Sequence, residues 1–256
     1  MYGSCDAGGF AGTLSVVMSA FRFKQFSVSH QTAFKVGTDA VLLGTLTPVT
    51  GATKRALDVG TGSGVIALML LQRGISAAVG IEIDEAAATE ATENAQKSAW
   101  SEQLQIVCAD FCNTAIISEL GLFDLIVSNP PFFSNALKSP DNKRNITRHN
   151  DESLPLDMLL KNVVSLLSEN GFFSLILPVP EAELFCQKAA SYDLFPVEIH
   201  HIFSKPQKPE SRQILVLQKQ HPPQPPTEKF LCIYQSDGTY SEDYKRVTKE
   251  FYLSEL

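Results

Sequence analysis

The sequence has no uninterrupted run of about eighteen apolar residues, the length at which a helix crosses a bilayer, so no membrane partner is expected. Its few cysteines, Cys5, Cys108, Cys112, Cys186 and Cys232, are scattered and form no C-x-x-C pair. That excludes a disulfide framework or a zinc site of the usual spacing, and points to a reduced, cytoplasmic setting. Histidine is equally sparse. No H-E-x-x-H pattern occurs, and His200 and His201 are neighbours on a predicted strand, pointing to opposite faces; no metal is expected. Residues 1–17 contain neither lysine nor arginine, so they do not read as a secretory signal. Small and glycine-rich, they read as a poorly ordered leader, or as extra sequence before a second start at Met18.

What is present suits one domain. The 256 residues are 44% hydrophobic and 19% charged. The expected layout is a single domain over 18–256, monomeric. A lid, hairpin and helix reach residue 54, the core covers 55–219, a proline-rich connector covers 220–228, and a strand and helix occupy 229–256. The net charge of −7 does not by itself suggest a nucleic-acid partner. The charge is uneven, however. Lys138, Lys143, Arg144 and Arg148 face only Asp141 in one stretch, and Lys205, Lys208, Arg212 and Lys219 face Glu198 and Glu210 in another.

From Arg55 onward, short apolar runs alternate with helical patterns. Strands are predicted at Ala56–Val59, Ala77–Ile83, Leu104–Asp110, Phe123–Ser128 and Phe172–Pro178. Between and after them lie helices at Val65–Arg73, ended by Gly74, at Asp84–Trp100, at Leu154–Leu167 and at Glu181–Tyr192. PVEIHHIF and RQILVLQK have no crossover helix between them and are expected to pair antiparallel. The result is an α/β fold with a seven-stranded, mainly parallel sheet, helices on both faces and small N- and C-terminal additions. The strand FLCIYQ, a turn at Asp237-Gly238 and a last helix form the C-terminal addition.

The first core strand ends in DVGTGSG, Asp58 to Gly64. A glycine turn between strand and helix lets the backbone approach a ligand. Gly60, Gly62 and Gly64 give G-x-G-x-G rather than the G-x-G-x-x-G of dinucleotide binding, which suits a nucleoside beside the turn. Glu82, at the end of the next strand, can accept both hydroxyls of a ribose, whereas Asp84 reads better as a helix N-cap. Asp110 can accept from an exocyclic amine of a base and Phe111 can flank it, with an N-cap as the rival role for Asp110. Three strand ends thus offer a glycine turn, an acid and an acid along the carboxyl edge, where open α/β sheets bind ligands.

SNPPFF, Ser128 to Phe133, ends the fourth core strand, because proline cannot continue a sheet ladder. An exocyclic or amide nitrogen has a delocalised lone pair and is a poor nucleophile. The Asn129 side-chain oxygen and the Pro130 carbonyl can accept its two N–H groups and turn that lone pair towards an electrophile. Pro131 stiffens the corner, and Phe132 can stack on the planar group. A sulfonium methyl needs no strong base, so placement and tightening hydrogen bonds suffice.

This corner resembles the [DNS]-P-P-[FYW] signature of class I, Rossmann-like S-adenosylmethionine-dependent methyltransferases that act on such nitrogens. The flanks narrow the resemblance to the bacterial tRNA1(Val) adenine N6-methyltransferase family: F-K-Q-F at Phe23 to Phe26, K-V-G-T-D at Lys35 to Asp39, Asn129 to Phe132, Arg148-His149, and Tyr240, Ser241, Tyr244 with Phe251 to Leu253. It implies S-adenosylmethionine as cofactor and the adenine 3′ of the anticodon as target. The segment ahead of the first core strand can then form a lid in which Lys35, Thr38 and Asp39 meet the cofactor's amino-acid part, where a carboxylate suits the ammonium, or a hairpin packing Phe21, Phe23 and Phe26 on the core with Lys24 outside. Lys24, Lys138, Arg144, Arg148 and Lys205 would then meet tRNA phosphates. Sister enzymes use the same corner on guanine of ribosomal RNA or on protein glutamine. The glutamine enzymes carry an N-terminal helical bundle, for which the 37 residues before Thr38 leave little room.

Overall fold

The computed structural model describes residues 20–29, 36–130 and 154–253. Lys35, Pro131, Phe132, Phe133, Lys138, Arg144 and Arg148 fall outside them. The chain opens with a hairpin, β1 (Ala20–Arg22) and β2 (Ser27–Ser29), followed by α1 (Thr38–Leu46). The alternating core then runs β3 (Arg55–Val59), α2 (Val65–Gln72), β4 (Ala77–Glu82), α3 (Glu85–Gln96), β5 (Leu104–Cys108), α4 (Thr114–Glu119) and β6 (Phe123–Ser128). After the undescribed stretch come α5 (Leu156–Leu166), β7 (Leu167–Leu177), α6 (Val179–Ala190), β8 (Phe195–Phe203), β9 (Glu210–Gln218), β10 (Thr227–Cys232) and α7 (Glu242–Thr248). None of the described helices is long and apolar enough to cross a membrane.

The main sheet has the order β10-β8-β9-β7-β6-β3-β4-β5. It therefore has eight strands among the described residues, one more than the expected seven. The additional strand is β10, read from sequence as a separate addition; it pairs parallel to β8 from Thr227↔Glu198 to Cys232↔Phe203. β7, β8 and β9 form the antiparallel part. The short α4 also goes beyond the sequence reading, and its N-cap is Asn113 rather than Asp110.

Period-two alternation explains the layers. Ala56, Ala78, Leu125, Val127, Ile176 and Ile214 join the core beneath the hairpin, α1 and α2. Leu57, Val79, Ile81, Ile126, Leu175 and Leu215 join the core beneath α4, α5 and α6. The hairpin is seated by stacked rings, Phe23 on Phe26 at 4.6 Å and Phe23 near Tyr252 at 6.1 Å, with Lys24 outside. Gly74 has φ +96, the left-handed geometry that ends α2 where the sequence places its stop.

Candidate active site

One row of register-matched residues sets the site. Val107 pairs with Ile81, Ile81 with Val59, and Val59 with Ser128. One residue further along, Cys108, Glu82, Gly60 and Asn129 leave the sheet at a common level. With strands about 4.8 Å apart, Asn129 and Glu82 stand roughly 10 Å from each other, with the glycine turn between them. The Ser128 hydroxyl donates to the Val59 carbonyl at 2.9 Å, knitting the Asn129-Pro130 corner to the strand that carries the turn. Asn129 is half-buried and Pro130 buried.

Side chains from three elements pin the turn. Gly60, Gly62 and Gly64 all have positive φ, +72, +55 and +81, which explains the glycines. A Cβ at Gly60 or Gly62 would meet nothing within 4 Å, so these glycines face open space. Beneath the turn, Asp58 Oδ2 accepts from the Thr61 hydroxyl at 2.7 Å and the Ala67 amide at 3.2 Å, and buried Oδ1 has no partner among the described residues. Burial pushes the Asp58 carboxyl up to about 7, opposed by those two hydrogen bonds and reinforced by the charge of Glu82.

Glu82 closes the turn from the β4 side. Its Oε2 accepts from Gly62 N–H at 2.8 Å, and its Oε1 from the amides of Ile83 at 2.9 Å and Asp84 at 3.1 Å. Asp84 caps α3 by accepting from Ala87 N–H at 2.8 Å, the role read from the sequence. Asp110 is exposed and accepts from Cys112 N–H at 2.8 Å. The Phe111 ring is only 4% exposed and belongs to the core beneath α4, α5 and α6, so main chain is what this residue can present to a base.

Asp39 and Thr38 begin α1. Arg212, at the start of β9, donates through Nε to Asp39 Oδ2 at 3.0 Å, and both side chains are over a quarter exposed. Because β9 runs antiparallel to β7, with Gln213 opposite Leu177, this pair lies on the same edge as Asn129. Lys205 follows β8 on that edge too. The structure does not bring Lys24 there. Lys24 lies in the hairpin turn beside Gln25, which lines a cleft with Thr45, Gln72 and Arg73 at the far ends of α1 and α2. α2 starts at the glycine turn and eight residues carry it about 12 Å away, and the Lys24 ammonium is bound by the Lys249 carbonyl.

Two buried asparagines escaped the sequence reading. Asn162 of α5 donates to the Phe111 carbonyl at 2.6 Å, and Asn94 of α3 binds both Ser29 and Ser63. Each is a polar residue on the apolar face of its helix, the signal that could have identified it. Ile83, 49% exposed beside Glu82, is an apolar flank at the same edge.

The family model of the methyltransferase small domain matches residues 26–164. A Bacteroides fragilis protein named tRNA1(Val) (adenine(37)-N6)-methyltransferase is 42% identical over 91% of this chain and 97% of its own. A Pedobacter heparinus protein of the same name is 41% identical over 92% of this chain and 99% of its own. Among solved structures, an Agrobacterium tumefaciens protein described as a predicted O-methyltransferase superposes with TM-score 0.60 at 17% identity, covering 83% of this chain and 96% of that one; that likeness concerns fold alone. The glycine turn, the acid beside it and the N-P-P-F corner thus stand in a chain that belongs to the methyltransferase small domain family, and it is a class I S-adenosylmethionine-dependent methyltransferase.

Proposed function

We propose that the chain methylates N6 of adenine 37, the base 3′ of the anticodon, in tRNA1(Val). The observation that carries this reading is the common level at which Asn129, Gly60 and Glu82 leave three adjacent parallel strands. The names of relatives matched along nine-tenths of the chain supply the substrate.

The residues fit the cofactor. Gly60 and Gly62 face space that a Cβ would enter, Glu82 keeps acceptor capacity for a ribose hydroxyl at Oε2, which holds one amide where Oε1 holds two, and Ile83 and Asp110 offer an apolar flank and an acceptor for the base. Asp39, held by Arg212, and Thr38 offer an anionic and a polar group to an amino-acid moiety. When bound, S-adenosylmethionine supplies an electrophilic methyl on a sulfonium.

The chain's part in the reaction is placement. The Asn129 side-chain oxygen and the Pro130 carbonyl accept the two N–H groups of the adenine amine, favouring a more tetrahedral nitrogen with its lone pair directed outward. Because a proline follows it, Pro130 has a restricted ψ, which limits the angle of that carbonyl, and Phe132 stacks on the base. An anticodon-loop base is unpaired, so drawing it to the sheet edge costs less than flipping one from a duplex. Lys205 on the edge, with Lys138, Arg144 and Arg148, receives phosphates.

The test is transfer of radiolabelled methyl from S-adenosylmethionine to total tRNA lacking the modification, with ribosomal RNA and release factor as parallel substrates, then nucleoside and amino-acid analysis. Label in N6-methyladenosine of tRNA1(Val) is expected. Label only in methylguanosine, or only in protein glutamine, overturns the substrate.

A further inference from the structure

The N-terminal hairpin is too small to hold its place unaided, since two strands of three residues do not make a stable unit. One end is fixed by the rings of Phe23, Phe26 and Tyr252. The other end, at Ser29, lies over α3. There Asn94, 1% exposed, replaces a neighbouring strand: its Oδ1 accepts from Ser29 N–H at 2.9 Å and its Nδ2 donates to Ser29 O at 3.0 Å. The same Nδ2 donates to Ser63 O, inside the glycine turn, at 2.9 Å. All four hydrogen-bonding capacities of a buried amide are thus accounted for but one.

Ser63 is the third consecutive turn residue to be pinned. Thr61 is held by Asp58 from below and Gly62 by Glu82 from the side. Through these bonds the Asn94 amide reaches both the turn and the hairpin. We infer that Asn94 is a positioning residue for the cofactor, a buried clamp that fixes the glycine turn in its binding shape and joins that shape to the docking of the hairpin over it. The inference rests on the cofactor lying against the turn, as proposed above.

The physical reason is a population argument. Each of Gly60, Gly62 and Gly64 has wide backbone freedom, so a turn built from them samples other shapes unless it is held. Apparent affinity falls in proportion to the fraction of molecules in the competent shape. In Asn94→Asp the outline is kept and the acceptor for Ser29 N–H survives, but an oxygen now faces the carbonyls of Ser29 and Ser63. Leaving those buried acceptors unpaired would reduce the competent fraction to about one-tenth.

Asn94→Asp is expected to raise KM for S-adenosylmethionine about tenfold while kcat and the KM for tRNA stay within about twofold. A loss of melting temperature or of active fraction with unchanged cofactor KM would reduce Asn94 to a packing residue and overturn the inference. Hydrogen exchange on the unaltered protein is the second measurement, decisive even if the variant does not fold. Adding S-adenosylhomocysteine should slow exchange at residues 60–64 and, through the clamp, at 27–29. Protection of the turn without the hairpin overturns the clamp alone. Absence of protection at 60–64 overturns the cofactor's seat, and this inference with it.

Discussion

In the proposed mechanism, replacing Asn129 by alanine removes one of two acceptors for the amine and leaves the glycine turn and Glu82 untouched. Methyl transfer should fall by about 10²–10³-fold, the size of losing one preorganised transition-state hydrogen bond, while cofactor affinity by calorimetry stays within about twofold. Full turnover in that variant would remove Asn129 from the chemistry. Asp58 invites a different experiment. Its carboxyl ionises near 3.8 in the unfolded chain and near 7 in the folded one, chiefly because burial disfavours the charge. Between those values the unfolded chain has lost a proton that the folded protein keeps, so stability falls as pH rises through that window and is flat above it. Asp58→Asn has no such window. Relative to the unaltered protein it should gain on the order of 2–4 kcal/mol between pH 4 and pH 8 in urea unfolding, and an equal difference at the two pH values would contradict the burial argument.

The glycine turn is an element whose packing is as demanding as its backbone. Gly80, mid-way along β4, lies under it: a Cβ there would stand 2.9 Å from Thr61 Cγ2 and Oγ1 and from Ile106 Cδ1. Gly80→Ala should therefore displace the Thr61 hydroxyl from Asp58, destabilise the fold by about 1–3 kcal/mol in urea titration and weaken cofactor binding together with it. Unchanged stability would mean that the β4–turn contact is loose. Sequence reasoning could see this turn, because glycines after a strand, a carboxylate at the next strand end and prolines at a third are local signals. It saw Asp84 as a cap for the same reason. It could not see which strand takes β10 as a neighbour, since the pairing of Thr227 with Glu198 is a long-range register and Phe230 is two-thirds exposed. Nor could it see Asp39 meeting Arg212, 173 residues away, or the partners of Asn94 and Asn162. The orientation of the hairpin escaped it too, because nothing in F-K-Q-F says that the Lys24 end points away from the strand ends.

Across the whole molecule, the proposed tRNA substrate sets a net charge of −7 against binding to a polyanion. Carboxylates elsewhere on the surface repel RNA at long range, so attraction has to come from cations gathered where the strands end. A contact limited to a few phosphates releases few counterions. The logarithm of tRNA affinity should then fall with the logarithm of salt at a slope of only about −2 to −4, since each neutralised phosphate contributes about −0.7 to −0.9. Under the proposed reading, Lys205, on the carboxyl edge about three strand spacings from Asn129, belongs to that group. Lys24, at the opposite end and bound by the Lys249 carbonyl, does not. Lys205→Ala should make the slope shallower by about one phosphate's worth, and Lys24→Ala should leave both slope and affinity as they were. Filter-binding titrations of both variants at several salt concentrations decide the matter. If Lys24→Ala flattened the slope and Lys205→Ala did not, tRNA would be lying along the amino ends of the strands, and Asn129 would have no base within reach.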